Sequence, residues 1–328
     1  MGAVSELTHE YALSDQEMKS LTRLAQRMVS NPRGALGLDE FSPNDVPAEL
    51  RRQLLAFSEN SSRGFYLVRG IDIDTVPSTP ERHGDAALAG HRTTGILATF
   101  AELLGSLIGY AEEKNGALVH EVYPVRGEEQ RIENSGSVAF DFHTENVHHP
   151  LRPDFLGLLC LRQDHAAVAA TRVASVREAA AYLTAEQIVT LRRPAFRSLY
   201  PLSFTRGSTG ERPAYGPHPV LFGAEDRLFM RFNSHNTQAT DAAGRAALRA
   251  LTEALEQVVH EVILRPGELV VVDNHVAAHG RSAFTPRYDG EDRWLRRFYS
   301  IRAVPRWAEQ MMPQPRVLPT LTDMHGVL

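Results

Sequence analysis

The run Phe142-His143-Thr144-Glu145, taken with Asn274-His275-Val276-Ala277-Ala278-His279-Gly280-Arg281 and with Arg293 beyond it, constrains how the rest of the chain must be arranged. On an extended segment, side chains two apart share a face, so the imidazole of His143 and the carboxylate of Glu145 converge. A second histidine completes a facial set of three and leaves part of the metal open. That arrangement belongs to non-heme Fe(II) oxygenases and not to closed structural zinc sites. In a chain with 14 His and 40 acidic residues the pair alone says little, so its context decides. Gly267-Glu268-Leu269-Val270-Val271-Val272-Asp273-Asn274 reads as a turn and then a buried apolar strand that ends just before His279. His279 therefore sits where a rigid strand stops. Arg293 follows the turn-like Arg287-Tyr288-Asp289-Gly290 and opens the apolar-rich strand Trp294 to Ile301, where a planar guanidinium suits a dicarboxylate co-substrate.

Further blocks accompany these: Tyr110-Ala111-Glu112-Glu113-Lys114-Asn115-Gly116, Val122-Tyr123-Pro124-Val125, Asp154-Phe155-Leu156-Gly157-Leu158-Leu159, and His279-Gly280-Arg281 through Arg297. In this order the set resembles the clavaminate synthase-like branch of the Fe(II)/2-oxoglutarate oxygenases, the hydroxylases of free arginine, asparagine, lysine and citrulline among them. The likeness covers roughly residues 60 to 305. It implies a mainly β fold with flanking α-helices, a double-stranded β-helix or jelly roll. It further implies Fe(II) held by His143, Glu145 and His279, with 2-oxoglutarate and O2 as co-substrates. Arg293 resembles the partner of the 2-oxoglutarate distal carboxylate, and Thr171 the hydroxyl residue beside it. Arg297 resembles the residue that grips the substrate α-carboxylate, while Arg296 points to the other face of the strand. Glu113 stands where relatives often carry Gln and is expected to accept from the substrate ammonium. The implied reaction couples decarboxylation of 2-oxoglutarate to hydroxylation of an unactivated side-chain carbon, C3 or C4. A carboxylate at Glu145 speaks against a halogenase, which replaces that ligand by a small residue. His275 is the competing ligand, but it lacks the Gly-Arg that follows His279. His148 and His149, just before Pro150, are expected on the outside of a loop.

Where the arginine hydroxylases carry acidic residues for the guanidinium, this chain reads Arg231-Phe232-Asn233-Ser234-His235-Asn236. A guanidinium buried there would lack a partner, so arginine and lysine are disfavoured. Asn233 and neutral His235 can each donate and accept, which suits a urea or amide. Citrulline is the first expectation, then asparagine or glutamine; a protonated His235 would instead accommodate a carboxylate. The alternative within the class is a carrier-tethered or basic amino acid. From other classes, a zinc hydrolase would leave Arg293 and Arg297 without a matched purpose, and a catalytically silent jelly-roll binding protein is the remaining reading.

The length of 328 residues with 43% hydrophobic content supports a substantial core. We expect one oxygenase domain over 1–328, because no linker divides the chain and the two halves of the metal site lie far apart in sequence; about 1–60 should form a helical segment packed on the jelly roll. A net charge of −5 argues against nucleic-acid binding. Single Cys160 excludes an internal disulfide, no apolar run reaches the roughly 18 residues that span a bilayer, and Met1-Gly2-Ala3-Val4-Ser5-Glu6 lacks a signal core. A cytoplasmic enzyme with a small amino-acid substrate is expected; the oligomeric state stays open. Ser14-Asp15-Gln16-Glu17 is a capping box, and Leu21, Leu24, Ala25 and Met28 recur at helical spacing. A second helix is expected from about Thr94 through Leu107 toward Tyr110 and a third from Asp241 to Ile263. Thr205 to Pro219 reads as a long loop over the site.

Overall fold

The strand Trp294–Ile301 sorts the molecule into layers. Trp294 and Phe298 face an apolar cluster shared with three helices, whereas Leu295, Tyr299 and Ile301 face a second cluster between two sheets. Period-two alternation does this, and it sends Arg297 inward with the second set and Arg296 outward with the first. A computed structural model, describing residues 9–30, 36–84, 88–132, 135–201, 204 and 212–324, shows how the layers assemble.

The major sheet runs in the order Glu10–Ala12, Phe65–Arg69, Leu269–Asp273, Phe155–Arg162, Trp294–Ile301, Ser106–Tyr110 and Val317–Leu318, with Val119–Val122 also paired to Trp294–Ile301. The minor sheet runs His260–Val262, Thr171–Ser175, Ala277–Arg281 and Phe140–His143. Between them lie Phe65, Leu156, Leu158, Val173, Val270, Ala277 and Leu295. The two facing sheets form the expected jelly roll. Helices Asp15–Val29, Ala48–Asn60 and Arg92–Leu104 cover the outer face of the major sheet, and helix Ala242–Gln257 covers that of the minor one. The N-terminal helix starts at the capping box: the Ser14 hydroxyl accepts from the Glu17 amide, and Leu21, Leu24, Ala25 and Met28 are buried.

Two helices stop earlier than their apolar patterns suggest. The second ends at Leu104, because Gly105 passes so close to Ile301 that a Cβ there would lie 2.4 Å from its carbonyl oxygen; Ser106–Tyr110 then pairs with Tyr299–Ile301 as a strand. A fully buried apolar run cannot be told from a helix by periodicity alone. The third is capped by Asp241, whose carboxylate accepts from the Gly244 amide, and ends at Gln257, so that His260–Val262 pairs with Thr171–Val173. β-Branched Val258, Val259, Val262 and Ile263 favour that exit. Of the loop expected at 205–219, residues 205–211 lie outside the described residues, as do 1–6, and Ala214–His218 is a strand.

Arg296 holds the helical layer to the sheet. Only 2% exposed, it donates to Glu121 and to the hydroxyls of Thr93 and Thr94. Arg296→Met should destabilise the fold by about 3 kcal/mol in urea melts, since it removes the cation paired with a largely buried carboxylate, which keeps only Trp294 Nε1, and one hydrogen bond from each of two buried hydroxyls. A loss below about 1 kcal/mol contradicts this role.

Candidate metal centre

Antiparallel pairing sets His279 directly opposite His143, and their ring centroids lie 4.2 Å apart. Directly opposed residues point to the same face, here the barrel interior. Glu145 arrives differently from the expectation of a shared strand face. The strand ends at His143, and Glu145 lies in a turn that continues through Asn146 at φ 47. Its Oε2 nevertheless comes within 3.6 Å of His279 Nε2. One ligand atom from each of the three residues falls within 4.8 Å of the others, and all three are buried.

The protonation states suit a divalent cation. His143 Nδ1 lies 3.0 Å from the Asp141 carbonyl, which can only accept, so Nδ1 carries the proton and Nε2 keeps its lone pair. Burial, and then the neighbouring His279, depress the His143 pKa to about 3. Burial alone would raise Glu145, but Arg297 and the two imidazoles hold it below the usual carboxylate range. Two imidazoles and a carboxylate gathered within 4.8 Å of one another, two of the three lining a cavity, therefore fit a resident metal.

His275 takes no part. Its Nε2 is 2.8 Å from Asp154 and its Nδ1 is 2.6 Å from the Arg152 guanidinium. His148 and His149 correct the loop expectation: they are 2% and 0% exposed. The turn after Glu145 runs inward, placing His149 edge-on to Tyr110 and His148 against Phe204, and His148 lines the cavity. Burial lowers both pKa values, that of His149 to about 3.

On the interior face beyond His279, Arg281 and Arg293 lie 5.6 and 5.7 Å from the ring of Phe284. Both are buried, and among the described residues neither is in ion-pair contact with a carboxylate. Burial, and then the charge of Arg293, lower the Arg281 pKa to about 9; burial lowers Arg293 as well. Thr171 pairs opposite Arg281, so its hydroxyl shares that face. Arg281 was not anticipated, although it follows His279 by two and alternation alone brings it inward.

At the other end, Arg297 donates to Glu113 at 2.6 Å and to Glu145 at 3.3 Å. Glu113 Oε1 also accepts from Tyr299, whereas Oε2 is buried without a hydrogen-bond partner beside the cavity. Burial raises this carboxyl, but His120 and Arg297 outweigh it and keep it ionised. Asn233 also lines the cavity, with its Oδ1 engaged by the backbone amides of His235 and Asn236 at 2.9 Å each. His235 does not line it. Its ring is turned to Asp141 at 3.2 Å, and its side chain is 39% exposed.

The chain matches the model of the taurine catabolism dioxygenase TauD, TfdA family over residues 29–299. It is 39% identical over 258 residues to the L-asparagine oxygenase of Streptomyces coelicolor, spanning 78% of this chain and 76% of that one. A crystal structure of asparagine oxygenase with Fe(II), 2S,3S-3-hydroxyasparagine and succinate superposes with a TM-score of 0.86 at 33% identity, covering 95% of this chain and 99% of the other. The non-heme iron oxygenase OrfP with Fe and alpha-ketoglutaric acid does so at 0.83 and 27% identity, covering 94% and 99%. With the family model spanning most of its length, the chain belongs to the taurine catabolism dioxygenase TauD, TfdA family.

Proposed function

We propose that the chain is one oxygenase unit that hydroxylates C3 or C4 of a free L-amino acid with a neutral polar side chain, using Fe(II), 2-oxoglutarate and O2. The observation that carries the substrate class is the cavity wall that joins Glu113, Arg297 and Asn233 to His143 and Glu145. Glu113 Oε2, ionised and unpartnered, receives the ammonium; Arg297, beside it, receives the α-carboxylate. A carrier-bound thioester has no carboxylate for Arg297, so the free amino acid fits better. Because Arg297 also touches Glu145, the α-carbon is held near the metal ligands and the first side-chain carbons come within reach.

At the distal end, Asn233 presents a donor. Its oxygen is saturated by two amides, which leaves Nδ2 for the substrate and makes the subsite favour a carbonyl oxygen over a cation. Amides and ureas satisfy it. The likeness to asparagine oxygenase puts asparagine ahead of glutamine and citrulline, reversing the order expected from sequence, and His235 drops out of the contact set.

His143, Glu145 and His279 would hold the iron, and Arg293, assisted by Arg281 and Thr171, the distal carboxylate of 2-oxoglutarate. Iron supplies dioxygen activation coupled to loss of CO2 from 2-oxoglutarate. The protein's own part is to hold the substrate so that the target C–H bond faces the metal site.

Succinate release across the proteinogenic amino acids, citrulline and ornithine tests the substrate class, with asparagine expected to stimulate it most. Arginine as the best substrate overturns the donor argument. His279→Ala should abolish iron-dependent succinate formation; full activity with iron held through His275 refutes the ligand set. Arg293→Ala should raise the KM for 2-oxoglutarate about 10- to 100-fold while iron affinity stays unchanged, because a charged hydrogen-bond partner is lost but no ligand. An unchanged KM removes Arg293 from that role. Asn233→Asp turns the donor into an acceptor and should shift relative kcat/KM toward lysine and arginine by about tenfold or more. No relative gain places the distal contacts elsewhere.

A further inference from the structure

Asn274 is completely buried, and its carboxamide makes three hydrogen bonds to backbone. Oδ1 accepts from the Glu145 amide at 2.6 Å; Nδ2 donates to the Glu145 carbonyl at 3.1 Å and to the Pro153 carbonyl at 2.8 Å. Its own amide donates to the Asp154 carbonyl at 2.9 Å. One planar group thus closes on both polar backbone atoms of Glu145, and among the described residues neither atom has another hydrogen-bond partner.

We infer that Asn274 is the positioning residue that sets the distance between the two halves of the metal centre. The inference rests on the reading of Glu145 as a ligand. Glu145 lies in a turn with a left-handed residue after it, so no sheet ladder fixes where its carboxylate points. His279, by contrast, is held between two neighbouring strands. Asn274 stands five residues before His279, in the turn that feeds its strand, and so ties the turn-borne ligand to the segment that carries the strand-borne one. Neighbouring groups keep that segment from moving. Asp273 caps the amides of His275 and Val276, and His275 is engaged by Asp154 and Arg152. Across the turn, the Thr144 amide donates to the Phe232 carbonyl, and the Thr144 hydroxyl accepts from the Phe232 amide and from Arg152. The loop is gripped from both sides, and Asn274 supplies the grip on Glu145 itself. Groups that orient a metal ligand in this way typically change metal affinity by about 10- to 100-fold when removed.

Metal affinity measured anaerobically without co-substrates, by calorimetry with Fe(II) and by the visible bands of Co(II), separates positioning from packing. Asn274→Ala should weaken both metals at least about tenfold per folded molecule, beyond any drop in the melting temperature of the metal-free protein. Asn274→Asp keeps the shape and the acceptor for the Glu145 amide but turns two donations into oxygen–oxygen contacts, and should weaken binding similarly. Unchanged affinity in a folded variant, with only the melting temperature lowered, overturns the inference. Glu145→Ala is the control: if it binds iron like the parent, the ligand assignment itself has failed and the inference falls with it, whereas weakened binding there with unchanged binding in the Asn274 variants overturns the positioning role alone. If both Asn274 variants are recovered unfolded, amide exchange at Glu145 in the metal-free parent protein decides. Strong protection shows the turn held before metal arrives; free exchange refutes it.

Discussion

The centre depends on one antiparallel register. Strand Ala277–Arg281 lies between Phe140–His143 and Thr171–Ser175, with His279 opposite both His143 and Val173. A slip of one residue would turn His279 out of the barrel and bring Ala278 in, since side chains alternate. Ala278 instead packs in the outer cluster under helix Ala242–Gln257, where an imidazole would find no partner. Gly280 makes the tight side of the pairing possible: a Cβ there would lie 2.4 Å from the Phe140 carbonyl oxygen, and the register shifts at this point, between His279 and Arg281. The same small residues that let the strands close also fix which histidine faces the cavity.

Once the register is set, alternation along Trp294–Ile301 gives three nearby arginines three kinds of surroundings. Arg296 faces the helices and is satisfied there by a carboxylate and two hydroxyls, so its charge is structural. Arg297 faces the cavity and is paired with Glu113 and Glu145, so the interior tolerates it without a ligand. Arg293 lies inside with Arg281 nearby and, among the described residues, no carboxylate in ion-pair contact with either. Two buried like charges disfavour each other and the fold. An anion with two carboxylates would relieve that cost, which supports the proposed placement of 2-oxoglutarate at this end and of the zwitterionic substrate at the Glu113 end.

Much of this was legible because the relevant elements are strongly patterned. The capping box at Ser14, the apolar strand Leu269–Asp273 and the strand after Arg293 carry local signals that tertiary context reinforces. The misreadings have a common cause. Ser106–Tyr110 and His260–Val262 continue helical apolar patterns, but strand partners far away in sequence claim them. His148 and His149 look like loop residues beside Pro150, yet the turn runs inward because Thr144 and Glu145 are anchored on both sides. Asn274 carried no signal of its own. A carboxamide that binds only backbone is indistinguishable in sequence from a strand-end asparagine, and its weight appears only when the turn it holds is seen.

Asn233 shows the same logic at the other end of the cavity. In sequence it could donate or accept, and a substrate preference drawn from its residue type alone stays open. The fold removes that freedom: the amides of His235 and Asn236 occupy the oxygen, so the turn that positions the residue also chooses its polarity. His235, two residues on, is diverted to Asp141 at the rim. In the proposed subsite, substrate choice would follow from hydrogen-bond accounting in the backbone around the site as much as from the side chains that line it. Two relatives with the same residue at this position would differ in preference if their turns left the other end of the carboxamide free.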